Sequence, residues 1–418
     1  MKIIKIKGGN ILKGKIEVSG AKNAAVALIP ASILSDDIAT IYNVPEITDI
    51  VALEEILRVL NCKTDIDKDR MTIDTKNMQN IEIGEEISQK LRASYYFMGA
   101  LLGKYHKVSM YFPGGCSIGT RPIDLHLKGF EALGAKVENN KNQYIVSADK
   151  LKGADIYLDF ASVGATINIM LAAVKAEGTT TIDNAAKEPE IVNVATYLNS
   201  MGAKISGAGT SKITIKGVKK LSRAMGEIIP DRIEAGTYII IGALTGDKLR
   251  IEKLIPEHIE ALISKLEEMK VDIKVGEDYV EVSKTDNLLP VNIKTAVYPG
   301  FATDLQQPLT VLQTQCNGKS TVTETIYENR FMHITYLNEM GAKITTNNTK
   351  AIIEGKTNLK GCEVAATDLR GGAAMVEAGL IAKGTTIITK PEHILRGYSN
   401  IIKKLKKVGA EISVEEVK

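Results

Sequence analysis

No stretch of this chain is apolar for the roughly 18 residues that a membrane-spanning helix needs, so no transmembrane segment is expected. Charge of one sign is not in excess either. Lys and Arg number 53 against 50 Asp and Glu, a net +3 over 418 residues, which argues against a nucleic-acid or membrane-surface partner. Cysteine is scarce. Cys62, Cys116, Cys316 and Cys362 form no CxxC pair, which suggests reduced thiols in a cytoplasmic protein rather than a disulfide scaffold or a zinc knuckle. The five histidines fall in no HExxH or other metal-ligand spacing, and neither a GxGxxG nor a Walker-type loop occurs. The opening MKIIKIKGGNILKGKIEVSG alternates Ile with Lys, a strand-turn-strand pattern and not a secretion signal.

Arginine is also rare. Only ten of the 53 basic residues are Arg. A chain so rich in Lys has reason to keep Arg where a planar fork is needed to grip carboxylate or phosphate with two bonds. Arg92, Arg121, Arg232, Arg330, Arg370 and Arg396 all fall in conspicuous local motifs.

What the chain does have is repetition. LNCK (60–63), LGAK (133–136), MGAK (201–204), MKVD (269–272), MGAK (340–343) and VGAE (408–411) each close an amphipathic helix and open a strand. The spacing is near 70 residues throughout, which signals stacked copies of one supersecondary unit. The third copy shows its contents: a helix, a strand, a second helix and a hairpin, with a further short strand leading on. Six βαβαββ-type units divide into two domains of three. The expected domains are 22–229 and a discontinuous 1–21 plus 230–418, with the N-terminal strands pairing with the last unit. The longest spacing, 73 residues, spans PGGCSIGTRPID (113–124). An insertion of that kind in a compact scaffold is usually a functional loop, here a lid carrying a thiol.

Placed on the repeats, Lys22, Arg92, Ser162, Arg232, Asp304 and Arg370 stand where first helices begin. Arg121, Glu188, Glu328, Arg330 and Arg396 stand where second helices begin. Helix N-termini attract anions, so this set suits a polyanionic small substrate held between two domains. Each residue also has a plainer reading. Asp304 is first an N-cap, Glu188 a first-turn dipole partner, and Cys62, Cys316 and Cys362 small buried hydrophobes. Lys22 is the odd one, a cation opposing a helix dipole, a conflict that a bound anion would relieve.

Taken together, SGAKNAA, LRAS, PGGCSIGTRPIDLH, SVGAT, AAKEPEIV, PDRIEAGT, FATDLQQP, TETIYENRFMH, ATDLRGGAAMVEAGL and HILRGY resemble the enolpyruvyl transferases, end to end and in order. The resemblance implies an α/β fold of two inside-out barrels with the active site in the interdomain cleft. It implies transfer of the enolpyruvyl group of phosphoenolpyruvate to the 3-hydroxyl of UDP-N-acetylglucosamine, with release of phosphate. Cys116 is then the general acid, able to hold a covalent phosphoenolpyruvate adduct, and no other cofactor or metal is implied. Lys22, Asn23, Arg121, Arg370 and Arg396 match phosphoenolpyruvate-binding positions. Asp304 matches the residue at the sugar hydroxyl, proposed as its base. Arg92, Arg121, Pro122, Ile123, Asp124, Leu125, Ser162, Val163, Gly164, Asp304 and Ile326 match the nucleotide-sugar site, with Glu188, Arg232, Glu328 and Arg330 in support. Phe160 stands where some relatives carry Lys. A monomer acting on small molecules is the expectation. The rivals are a sister enzyme using shikimate 3-phosphate, which lacks the Cys loop, and a non-catalytic nucleotide-sugar sensor.

Overall fold

The structure is a computed structural model that describes residues 2–90, 92–111, 123–141 and 143–416, with Arg92 described in its backbone only. Among the described residues no helix is long and apolar enough to cross a membrane.

The six tetrapeptides that mark the repeat share one backbone conformation. Their second residues, Asn61, Gly134, Gly202, Lys270, Gly341 and Gly409, all lie in the left-handed region, with φ from 60° to 107°. In every copy the N–H of the third residue returns to the carbonyl five positions back, at 2.9–3.1 Å: Cys62 to Leu57, Ala135 to Phe130, Ala203 to Leu198, Val271 to Leu266, Ala342 to Leu337 and Ala410 to Leu405. This is a Schellman helix end, which satisfies a terminal carbonyl and turns the chain into the next strand. Glycine is favoured at the left-handed position because it lacks a Cβ, and Asn tolerates it. The third residue is a small one, or Val, because it is buried.

Each repeat opens with a helix that is buried on nearly all sides: α1 Lys22–Ser32, α2 Tyr96–Tyr105, α3 Val163–Ala173, α4 Arg232–Thr245, α5 Gln306–Gln313 and α6 Leu369–Ile381. Most of these helices are largely apolar round their circumference instead of on one stripe, as INIMLAA in α3 shows, whereas α5, QQPLTVLQ, buries polar side chains as well. The chain divides into two compact units. One holds α1–α3 in the described residues from Gly20 to Ile229. The other holds α4–α6, in the residues up to Ser19 and from Pro230 onward. Each has its own apolar core. In the first, α2 lies so close to α3 that a Cβ at Gly99 would collide with the carbonyl oxygen of Asn168. In the second, α5 buries Gln306, Gln307 and Gln313 completely. Their amides donate to Arg330 O, Asp368 Oδ2 and Val291 O at 2.9–3.1 Å, so polar groups inside this core tie it together.

The sheets close each unit into a ring. The first five repeats each supply a first strand and an antiparallel hairpin, and in most of the sheets a short parallel strand from the end of another repeat is added. Asp155–Tyr157 joins Thr179–Asp183, and Met225–Glu227 returns to Ile38–Tyr42, so the third repeat closes on the first. In the other unit Asn292–Lys294 joins Gly318–Thr323 and Glu363–Ala365 joins Thr385–Thr389. The N-terminal strand Lys2–Lys7 fills the sixth repeat, antiparallel to Thr385–Thr389 and Glu411–Glu416. The next strand, Lys15–Glu17, departs from the expectation that both N-terminal strands join that repeat. It runs parallel to Leu249–Glu252 of the fourth and closes the second ring. In the second repeat the described sheet has three strands, and an Ile83–Met110 bridge takes the place of the fourth.

One buried group works against the fold. Glu377, on α6, has no accessible surface, and neither carboxyl oxygen has a hydrogen-bond partner among the described residues. Burial pushes its pKa well above the ordinary 4.5, so the folded chain keeps a proton that the unfolded chain releases. Between 4.5 and the raised folded value the folded state binds more protons, so stability falls as pH rises, by about 1.4 kcal/mol per pH unit for one group. Glu377→Gln removes this titration. The melting temperature of the variant is expected to exceed that of the parent by a margin that widens from pH 5 to pH 7; a margin independent of pH would contradict the assignment.

Candidate active site

In the unit that holds α4–α6, the fifth and sixth repeats converge on Asp304. It sits in the 3-10 turn Thr303–Leu305 that leads into α5. Its expected role as an N-cap is not what the structure shows. Ala302 occupies that place, and no side chain caps the turn. The Asp304 carboxylate goes to two arginines. Arg330 Nη2 donates to Oδ1 at 2.6 Å, and Arg370 donates to Oδ2 through Nε and Nη2, both at 3.3 Å. The guanidiniums are almost wholly buried, at 3% and 2% side-chain exposure, while Asp304 keeps 25%. The carboxylate is therefore the accessible face of a buried cationic pair. Burial opposes the charge on each arginine, but the carboxylate at Asp304 holds Arg330 protonated, and Tyr398 and Asp304 do the same for Arg370. Arg370 also lies over the Tyr398 ring at 5.1 Å, and Tyr398 shares a hydrogen bond with Thr237 at 3.0 Å. Nη1 of Arg370 is buried without a hydrogen-bond partner among the described residues.

True helix caps stand nearby. Asp231 accepts from the N–H groups of Ile233 and Glu234 at the start of α4, and Asp368 accepts from those of Arg370 and Gly371 at the start of α6. His333, fully buried, is held neutral, its pKa pushed down to about 4 by burial.

In the other unit, Lys22 begins α1, followed by Asn23. The conflict with the helix dipole is answered inside the protein. Lys22 Nζ lies 2.9 Å from Oδ2 of Asp49, itself 4% exposed, in the first turn of the helix Thr48–Val59. Ser162 caps α3, accepting from Ala165 N at 3.3 Å, and Val163 and Gly164 form its first turn. A Cβ at Gly164 would meet the His126 ring and the Tyr95 hydroxyl at 3.0 Å, so a side chain here fits only if those neighbours give way by a few tenths of an ångström. Asn168 fixes that histidine. Its Oδ1 accepts from Gly99 N, so its Nδ2 must donate, to Tyr95 O and to His126 Nδ1 at 2.9 Å. His126 is therefore the tautomer protonated at Nε2.

Of the other residues singled out by sequence, Ile123 is buried and Asp124 and Leu125 open the helix Asp124–Ala132. Glu188 precedes the helix Pro189–Ser200. Arg232 opens α4, its guanidinium 5.5 Å from the Tyr298 ring centre. Glu328 is exposed and Ile326 is 36% exposed. Arg396 directly follows the short helix Glu392–Leu395 and so ends a helix; the following helix starts at Ile401. Phe160 is 59% exposed. Arg92 starts a short 3-10 helix. Cys116, Arg121 and Pro122 lie outside the described residues. Sequence reading missed Asp49, His126, Asn168 and Thr303. Each is an ordinary residue for its position, and only packing gives it a role.

The sequence profile of the EPSP synthase family (3-phosphoshikimate 1-carboxyvinyltransferase) matches residues 6–405. The chain belongs to this family of enolpyruvyl transferases. It is 52% identical over 414 residues to a Geobacillus kaustophilus protein named UDP-N-acetylglucosamine 1-carboxyvinyltransferase 2, covering 99% of this chain and 97% of that one. A Streptococcus mutans protein of the same name is 51% identical over the whole of both chains. Among solved structures, the enolpyruvyl transferase NikO from Streptomyces tendae superposes with a TM-score of 0.91 at 25% identity, over 100% of this chain and 99% of that one. An EPSP synthase from Acinetobacter baumannii, at 19% identity and full coverage of both chains, shares the fold with a TM-score of 0.75.

Burial disfavours the thiolate at each of the described cysteines. Burial pushes Cys62 and Cys316 each up to about 12, and raises Cys362 as well. The thiolate is the nucleophile, so alkylation near neutral pH is expected to spare all three and to fall on Cys116. Limited alkylation read by mass spectrometry checks this, and first labelling of Cys62, Cys316 or Cys362 would refute it.

Proposed function

We propose that this chain is a UDP-N-acetylglucosamine 1-carboxyvinyltransferase. It moves the enolpyruvyl group of phosphoenolpyruvate onto the 3-hydroxyl of UDP-N-acetylglucosamine and releases phosphate, the first committed step of peptidoglycan synthesis. The observation that carries the reading is identity above half, over full length, with proteins of that name. The Asp304 constellation supports it, because it offers a carboxylate and anion-binding guanidiniums together.

The chemistry asks for little else. The sugar oxygen attacks C2 of phosphoenolpyruvate while C3 takes a proton, giving a tetrahedral phosphate adduct. Loss of a proton from C3 and cleavage of the C2–O bond then expel phosphate and restore the vinyl ether. An acid must face the vinyl carbon and a base the hydroxyl. Cys116 is assigned the acid, with a covalent phosphoenolpyruvate adduct as a side branch, and Asp304 the hydroxyl. Lys22, Arg121, Arg370 and Arg396, with Asn23 beside Lys22, neutralise phosphate and carboxylate, as transition-state charge requires. The nucleotide sugar is assigned to Arg92, the run Arg121 to Leu125, Ser162 to Gly164, Asp304 and Ile326. Asp49 holds Lys22 in place before the anion arrives.

Purified protein is expected to release phosphate from phosphoenolpyruvate only when UDP-N-acetylglucosamine is present. Equal turnover with shikimate 3-phosphate in its place would overturn the assignment.

A further inference from the structure

We infer that Glu324 is a positioning residue for the nucleotide-sugar half of the reaction, acting on Asp304 through Thr303 and Arg330 and on Ile326 through its backbone. The inference rests on the function proposed above. Glu324 directly follows the strand Gly318–Thr323 and is 1% exposed. Every neighbour it bonds is a donor. Oε2 accepts from the Thr303 hydroxyl at 2.7 Å. Oε1 accepts from the Thr295 hydroxyl at 2.9 Å and from the N–H groups of Ile326 and Tyr327 at 2.8 and 3.3 Å. The carboxylate thus has one fixed orientation, set by four donors from three segments of chain.

The Thr303 hydroxyl has a single proton, and Glu324 takes it. Its lone pairs must then face Arg330, whose Nη1 donates to it at 2.8 Å. The same guanidinium uses Nη2 to hold Asp304 at 2.6 Å. Arg330 is fixed at its other end, where its carbonyl accepts from Gln306 Nε2, and its guanidinium lies 5.0 Å from the Tyr327 ring centre. Glu324, Thr303, Arg330 and Asp304 therefore form a chain of three hydrogen bonds with one permitted direction. A guanidinium released from Thr303 can swing, and the carboxylate it carries then loses its aim. The second arm of Glu324 fixes the turn at Ile326. Both ends of this device, Asp304 and Ile326, are residues assigned to the nucleotide sugar and not to phosphoenolpyruvate alone. A defect in the chain is expected to appear on that substrate first.

Thr303→Val keeps the shape and removes the hydroxyl, while Thr303→Ser keeps the hydroxyl. A hydrogen bond to a charged group carries roughly a tenfold to hundredfold effect. Thr303→Val is expected to lower kcat/KM for UDP-N-acetylglucosamine at least tenfold while the KM for phosphoenolpyruvate stays within about twofold, and Thr303→Ser to restore most of the loss. An unchanged Thr303→Val enzyme, an equal loss in Thr303→Ser, or an equal effect on both substrates would overturn the inference. A second readout needs no turnover. With ten arginines in the chain, side-chain N–H signals of protein labelled with 15N-arginine can be assigned through Arg330→Lys. Restricted Arg330 Nη signals are expected in the parent and in Thr303→Ser, and averaged ones in Thr303→Val. A parent that shows those signals but turns over neither substrate would sink the proposed function and leave the relay standing. Identical Arg330 signals in all three proteins would sink the relay whatever the activity.

Discussion

No repeat in this chain is complete by itself, and the rest of the structure follows from that. Among the described residues five of the six sheets borrow a short parallel strand from another repeat, and the second repeat takes an Ile83–Met110 bridge instead. In each unit the borrowing runs round until it closes. Exposed sheet edges are thereby reduced, and three largely buried helices fill the core of each unit. The device that makes the borrowing possible is small. A left-handed residue at the end of each second helix turns the chain into its hairpin, six times over. Where that residue is Lys270, the strain of a side chain in this conformation is accepted to keep the turn.

The ring also determines where chemistry can sit. All six central helices begin in connections between repeats, so their N-termini and the turns before them are the natural places for polar side chains. The structure uses these places in different ways. Ser162, Asp231 and Asp368 spend their oxygens on capping. Lys22 and Asp304, at the corresponding starts, do not cap. One is a cation held by Asp49, the other an anion held by Arg330 and Arg370. A buried charge is tolerated only when paired, and each of these pairs leaves part of the charge accessible. Two buried guanidiniums stand behind one partly exposed carboxylate, the arrangement on which the proposed function draws.

Much of this could be read from the sequence, for physical reasons. The repeat was legible because the left-handed position prefers glycine and the next residue must be small, so MGAK and its variants recur at a nearly fixed spacing. Asn61 and Lys270 break the wording but keep the count. Arg330 and Arg370 stood out because arginine is rare here. The partners were not legible. Asp304 looked like a cap because the residues that draw it away lie 26 and 66 positions along the chain. Asp49 in TDIVALEE reads as an ordinary first-turn acid, and Thr303 and Glu324 as ordinary polar residues at the ends of elements. Their meaning is a matter of three-dimensional hydrogen-bond direction, for which no local pattern exists. The two N-terminal strands were separable only by register, since both are short Ile-Lys alternations.

The account stands on one bond. If the chain transfers an enolpyruvyl group, the phosphate leaves with the oxygen that joined it to carbon. Phosphoenolpyruvate labelled with 18O at that bridging position, turned over with UDP-N-acetylglucosamine, should deliver the label to inorganic phosphate and none of it to the organic product. Label retained in pyruvate or in the sugar product would mean that phosphorus, not C2, is attacked, and the account would be wrong.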